Sequence, residues 1–179
     1  MEKNKEKGAC CSGSVFCCCK GCDAEWLKIA FAVILCELAG LLGSIFTMPA
    51  IAGWYATLNK PSFNPPNWLF APAWTMLYAL MGVSAYLVWK KGTEKKEVKI
   101  ALGFFCLQLL LNLVWSLIFF GMKSPFFAFL EIILLWLAIA ATIWKFYGID
   151  KRAGALLIPY ILWVTFASVL NYYAWMLNA

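Results

Sequence analysis

The chain has 179 residues, 64% hydrophobic and 17% aromatic, with only 13% charged and a formal net charge of +6. An ordinary soluble domain carries about 25% charged residues, and a core able to hide this much apolar surface is not available at this length. A water-soluble globular domain is therefore excluded, and lipid is the solvent the composition requires.

Residues 1–25 differ in kind from the rest of the chain. Six of the eight cysteines fall here, at Cys10, Cys11, Cys17, Cys18, Cys19 and Cys22. The segment has no apolar run long enough for a cleavable signal peptide. It reads as a disordered cytoplasmic tail, with S-acylation of these cysteines as a second use. A metal or redox role for Cys19-x-x-Cys22 comes third, since a lone C-x-x-C is weak and no histidine is present to complete a zinc site.

Five apolar segments can be marked after this tail, approximately Trp26–Met48, Phe70–Trp89, Ile100–Gly121, Phe126–Phe146 and Ala153–Leu177. Each is near the roughly 20 residues that cross a bilayer. Backbone polar groups cannot go unpaired in lipid, so the spans should be helices. The period-two alternation of a barrel is missing. The expected fold over residues 26–179 is an all-α integral membrane bundle of five transmembrane helices. Lys3, Lys5, Lys7, Lys20, Lys28, Lys90, Lys91, Lys95, Lys96, Lys99, Lys145, Lys151 and Arg152 would then share one face, with only Lys60 and Lys123 on the other. The positive-inside rule places the N-terminus in the cytoplasm and the Lys60 loop outside. These basic groups are short, juxtamembrane and mixed with Glu94 and Glu97, which fits an anchoring face and not nucleic-acid binding.

Span one carries Glu37 near mid-membrane, where an ionisable group points to function by default. Gly40, Gly43 and Ser44 make a small-residue patch that admits either a neighbouring helix or a flat ligand. Residues 53–68 read as loop, too polar and proline-rich for helix. Pro61, Pro65, Pro66 and Pro72 stiffen the chain there. The aromatics Trp54, Tyr55, Phe63 and Trp68 sit where it leaves lipid. Two readings stay open: an interfacial aromatic belt, or residues 49–68 as a lid over a pocket. Span two sets Trp74, Tyr78 and Met81 on one face, and span three sets Gln108, Asn112 and Trp115 at the same spacing. Span four carries Glu131. Span five sets Trp163, Ala167 and Asn171 on one face, with Pro159 and Tyr160 a turn earlier. Each stripe alone fits bundle packing. Together, beneath an aromatic loop, they describe a cleft.

Such a cleft suits a large, flat, mostly apolar molecule. Tetrapyrroles and sterols both fit, and the residues do not choose between them. With no histidine in the chain, the commonest haem ligand and the commonest general base are both missing. A porphyrin would be held by stacking and amide contacts, with Tyr, Met, Cys36 or Cys106 as weaker iron ligands. No G-x-S-x-G, P-loop, paired-carboxylate or zinc signature appears, so no cofactor or metal is required by any motif.

Three runs carry a family resemblance. The first is W-Y-x-x-L-x-K-P-S-F-x-P-P-x-W from Trp54 to Trp68, continuing as P-x-W-x-x-x-Y and L-V-W. The second is Q-L-x-L-N with I-F-F-G, from Gln108 to Gly121. The third is P-Y-I-L-W-V-x-F-A-x-x-L-N-Y, from Pro159 to Tyr172. In this order they resemble the TspO/MBR family across roughly residues 39–175. The resemblance implies a five-helix bundle, usually a homodimer, that binds porphyrin or haem and in some members sterols. It implies a pocket of Trp54, Trp74, Gln108, Asn112, Trp115, Phe127, Trp163, Ala167 and Leu170. Trp74 and Trp163 correspond to tryptophans linked to light-driven porphyrin breakdown, which makes a light- and oxygen-dependent enzyme the alternative to a tetrapyrrole receptor or carrier. A regulatory or scaffold role for the tail is a third reading. There are departures. Ser116-Leu117 replaces a proline pair, putting a kink in doubt. Phe127 replaces a tryptophan. No Lys or Arg follows Tyr172 to complete a sterol motif, which puts tetrapyrrole ahead of sterol.

Overall fold

The computed structural model describes residues 19–179, with side chains from Glu25 onward. Cys10, Cys11, Cys17 and Cys18 lie outside the described residues. Cys19 and Cys22 lie in the first turns of a helix, but their side chains are outside the described ones.

Five helical stretches are long and apolar enough to cross a membrane: Glu25–Ala52, Asn67–Trp89, Lys96–Gly121, Pro125–Ile149 and Lys151–Met176. Their composition explains them. Apolar residues surround each helix, so lipid and neighbouring helices together bury every face. The described chain has no β-strand. The protein is thus an all-α, multi-pass membrane bundle.

The first helix, α1 (Cys19–Ala52), starts before Trp26 and runs on past Met48, with Pro49 inside it. Pro49 removes one backbone donor and crowds the carbonyl four residues back. In the preceding turns the Ser44 and Thr47 hydroxyls donate to the carbonyls of Leu41 (2.7 Å) and Gly43 (3.1 Å). A second, one-turn helix, α2 (Trp54–Thr57), comes next. The stretch from Gly53 is therefore not all loop: its prolines begin only at Pro61, and the residues before them are free to coil. From Leu58 the chain runs irregularly, with a turn at Ser62–Phe63 closed by the Asn64 N–H donating to the Pro61 carbonyl at 3.0 Å, until a 3-10 turn at Asn67–Leu69 leads into α3 (Phe70–Trp89).

Helix α4 (Lys96–Ser116) passes into a π-helical turn, Leu117–Gly121. The break in regular helix after Ser116 thus occurs without the proline pair, through one wider turn. The remaining helices are α5 (Pro125–Ile149), α6 (Lys151–Leu156) and α7 (Ile158–Met176).

Helix α1 packs on α3 and α4, α4 on α5, α5 on α7, and α6 on α3. The core runs through Leu77, Met81, Val88, Val98, Phe105, Ile132, Ile139, Phe146 and Val164. The α1–α3 contact depends on Gly82, where a Cβ would come within 2.5 Å of the Val33 Cα. Small residues of this kind let membrane helices approach backbone to backbone. Outward faces carry large apolar side chains, Leu162 at 64% and Trp144 at 75% exposure, as acyl-chain solvent requires.

Polar contacts gather at the basic end. Tyr86 Oη donates to Glu25 (2.5 Å), which also faces Lys90 Nζ at 3.7 Å. Lys91 Nζ pairs with Asp150 at 2.9 Å, and Asp150 caps α6 by accepting the Arg152 N–H at 2.9 Å. The Lys91 ammonium, then the Arg152 N–H, hold the Asp150 carboxyl below the usual carboxylate range against the opposing effect of burial.

Candidate ligand cavity beneath the strap

At the opposite end the non-helical segment from Leu58 to Pro66, here called the strap, closes over a cavity of about 540 Å³. This is within the usual range for a small-molecule site. Its walls come from α1, α3, the end of α4 with its π turn, and α7. Helix α5 stands behind them.

The α1 wall mixes small residues with the larger Leu41, Met48 and Ile51. Gly40, Gly43, Ser44 and Thr47 line it, with Glu37 below. Gly40 is required by the facing ring, because a Cβ there would overlap Tyr78. The opposing walls are aromatic. Trp74 lies 5.6 Å from Tyr78 and 6.3 Å from Tyr160, ring to ring. Trp163 meets Phe70 edge-on at 6.0 Å. Trp115 stacks on Phe119 at 5.1 Å through the π turn.

Two asparagines hold these rings. Asn112 accepts from Tyr78 Oη at 2.6 Å and donates to Tyr160 Oη at 3.2 Å, joining α3, α4 and α7. Asn171 accepts from Trp115 Nε1 at 3.0 Å and donates to the Pro125 carbonyl at 2.7 Å, joining α4, α7 and the start of α5. Both are buried. In lipid an amide must find its partners inside the protein, and each of these fixes an aromatic of the cavity wall.

The strap is anchored at several points. Tyr55 Oη donates to Asn64 at 3.1 Å, and the Tyr55 ring packs on Phe120 at 5.8 Å. Phe63 meets Tyr173 edge-on at 5.4 Å. Asn59 and Asn178 exchange bonds, the Asn59 N–H to Asn178 Oδ1 at 2.9 Å and Asn178 Nδ2 to the Asn59 carbonyl at 3.0 Å.

Of the ligand-binding residues expected from sequence, Trp74, Tyr78, Asn112, Trp115, Trp163, Ala167, Leu170 and Asn171 all reach the cavity wall. Three do not. Trp54 sits beside it, edge-on to Phe119 at 5.7 Å. Gln108 is buried deeper in the bundle. Phe127 is 56% exposed on the outer surface beside Phe126, because position 127 falls on the side of α5 turned away from the other helices. Missed were Thr47, Thr75, Phe119, Phe120, Lys60 and Asn64, which also line the cavity. Phe119 and Phe120 had a signal in the I-F-F-G run. Lys60 had one in being nearly alone on its face.

Several buried polar atoms have no protein partner: both side-chain heteroatoms of Gln108, both carboxyl oxygens of Glu131, and Trp163 Nε1. Only Trp163 belongs to the cavity wall. Cys36 is buried and Cys106 exposed, both as free thiols.

Comparison with known proteins agrees with this architecture. A family model described as TspO/MBR matches residues 32–176. The chain is 45% identical to the tryptophan-rich protein TspO of Chlorobaculum tepidum over 156 residues, 87% of this chain and 99% of that protein. It is 41% identical to protein CrtK of Rhodobacter capsulatus over 150 residues, covering 83% and 92% of the two chains. With the translocator protein of Bos taurus it shares 37% identity over 154 residues, covering 86% and 91%.

Proposed function

Because the chain belongs to the TspO/MBR family of membrane proteins, we propose that it is a tetrapyrrole receptor or carrier that takes porphyrin or haem into the cavity beneath the strap. The observation that carries this reading is the shape of the walls. A groove of glycines and small hydroxyl residues on α1 faces the rings of Trp74, Tyr78, Trp115 and Trp163. That leaves a slot for a flat body, with aromatic faces to stack on and few polar groups to satisfy. A sterol is a weaker candidate, since it is not planar enough to use those ring faces fully. The homodimer and the cytoplasmic N-terminus expected from sequence belong to the same proposal.

The test is titration of the purified protein with protoporphyrin IX, haem and cholesterol, reading tryptophan fluorescence. Saturable quenching by the tetrapyrroles, lost in Trp74→Ala/Trp163→Ala, is the expected result. Cholesterol binding without tetrapyrrole binding would overturn it.

One observation favours a second reading, light- and oxygen-dependent degradation of the bound porphyrin. Trp74 and Trp163 both border the cavity, so an excited macrocycle would lie against two oxidisable indoles, with dioxygen as the oxidant. Under illumination Trp74→Phe/Trp163→Phe should bind but form no product. Product formation at the parent rate would dismiss this chemistry.

A further inference from the structure

We propose that Lys60 recognises the acidic edge of the ligand, so that the cavity selects tetrapyrroles bearing free carboxylates and seats them with that edge under the strap. This rests on the tetrapyrrole reading and adds the ligand's charge and its orientation.

The lining side chains include two charged types, Lys60 on the strap and Glu37 on α1. Glu37 lies fourteen residues before Ile51, the last α1 residue of the wall, which at ~1.5 Å per residue is about 20 Å along the helix. The cavity is therefore polarised, with its cation at the strap end and its carboxyl at the end away from the strap. A carboxylate placed at that far end would meet Glu37. One at the strap end meets Lys60.

Lys60 is held in position for this. Its Nζ stands 4.6 Å from the centroid of Tyr55. The Tyr55 ring is fixed in turn, its hydroxyl donating to Asn64 at 3.1 Å while Asn64 Nδ2 donates to the Pro65 carbonyl at 3.0 Å. Pro61 holds the Lys60 backbone extended. Among the described residues Lys60 makes no ion pair, whereas Lys90 and Lys91 at the other end do. Burial holds the Tyr55 phenol above its ordinary range, outweighing the bond to Asn64, so no phenolate competes for the ammonium. A half-buried ammonium on an aromatic face, at the rim of an apolar cavity and without an anion, is a receptor for a carboxylate. The low local dielectric strengthens the pair. A neutral ligand makes no use of it.

The experiment uses the full chain in zwitterionic nanodiscs, titrated with protoporphyrin IX and with its dimethyl ester. The parent protein should bind the diacid about tenfold more tightly than the ester, the value of one charge-assisted bond. Lys60→Gln should bring the two within about twofold by weakening the diacid alone, while Lys60→Arg keeps the preference. Lys123→Gln, which changes the other basic residue of that face, should also keep it. Equal binding of diacid and ester by the parent, or a preference that survives in Lys60→Gln, overturns the assignment and leaves the tetrapyrrole reading standing. Binding of neither porphyrin overturns both.

Discussion

Asn112 and Asn171 show how much of this protein rests on single amides. Each bridges three helices and sets the pose of a cavity aromatic. Asn112→Ala leaves two buried phenols short of a partner and should cost about 1–3 kcal/mol, read as a lower melting temperature in detergent together with weaker tetrapyrrole binding. Glu131 is the opposite case. Its carboxyl is buried and neither oxygen has a protein partner. A polar group in that position costs stability and returns none, so Glu131→Leu should melt at an equal or higher temperature. A clear fall would show that the carboxyl has a partner outside the protein chain. The inward amides were legible in sequence because lipid gives them no alternative. That rule says which way an amide faces but not whether it meets a partner, so Gln108 read the same as Asn112 and ended buried and unpaired.

At the scale of elements, the five spans were readable from composition alone, while their ends were not. Helix α1 runs through Pro49 because a proline near the end of a span forfeits a single backbone bond, with the Ser44 and Thr47 hydroxyls closing the turns before it. The helical turn α2 precedes the strap because the prolines begin only at Pro61, after the polar stretch has started. The π turn at Leu117–Gly121 had no proline to announce it. It goes with the stacking of Trp115 on Phe119 at 5.1 Å and the edge-on contact of Phe119 with Phe120 at 4.8 Å, ring geometry that the spacing of apolar residues does not encode. Two glycines in helices separate packing from propensity. A Cβ at Gly82 would strike the α1 backbone at Val33, whereas one at Gly103 meets nothing within 4 Å. Gly82→Ala should therefore destabilise by about 1–3 kcal/mol through overpacking, and Gly103→Ala should stabilise by about 0.5–1 kcal/mol. Thermal melts of the two variants side by side check both signs.

The whole molecule has two unlike ends. One carries most of the basic residues and the ion pairs of Glu25 and Asp150, and the other carries the strap. Asp150 ties the first end together by joining the loop after α3 to the cap of α6. Its folded-state pKa lies below the unfolded value, so its contribution is complete above the ordinary Asp range near 4 and fades as pH falls through the lower folded value. Asp150→Ala should cost ~1 kcal/mol, chiefly the lost cap. That difference from the parent should shrink when both are melted at progressively lower pH.

The reciprocal bonds between Asn59 and Asn178 have a practical corollary. Asn178, just past the end of α7, fastens the cover of the cavity, so a load on the chain directly after it pulls on that fastening. On the tetrapyrrole proposal, an affinity handle joined directly after Ala179 should speed porphyrin escape in stopped-flow dilution, and Asn178→Ala should do the same without any handle. Lys123→Gln, which leaves the Asn59–Asn178 bonds intact, should leave the escape rate where the parent protein has it.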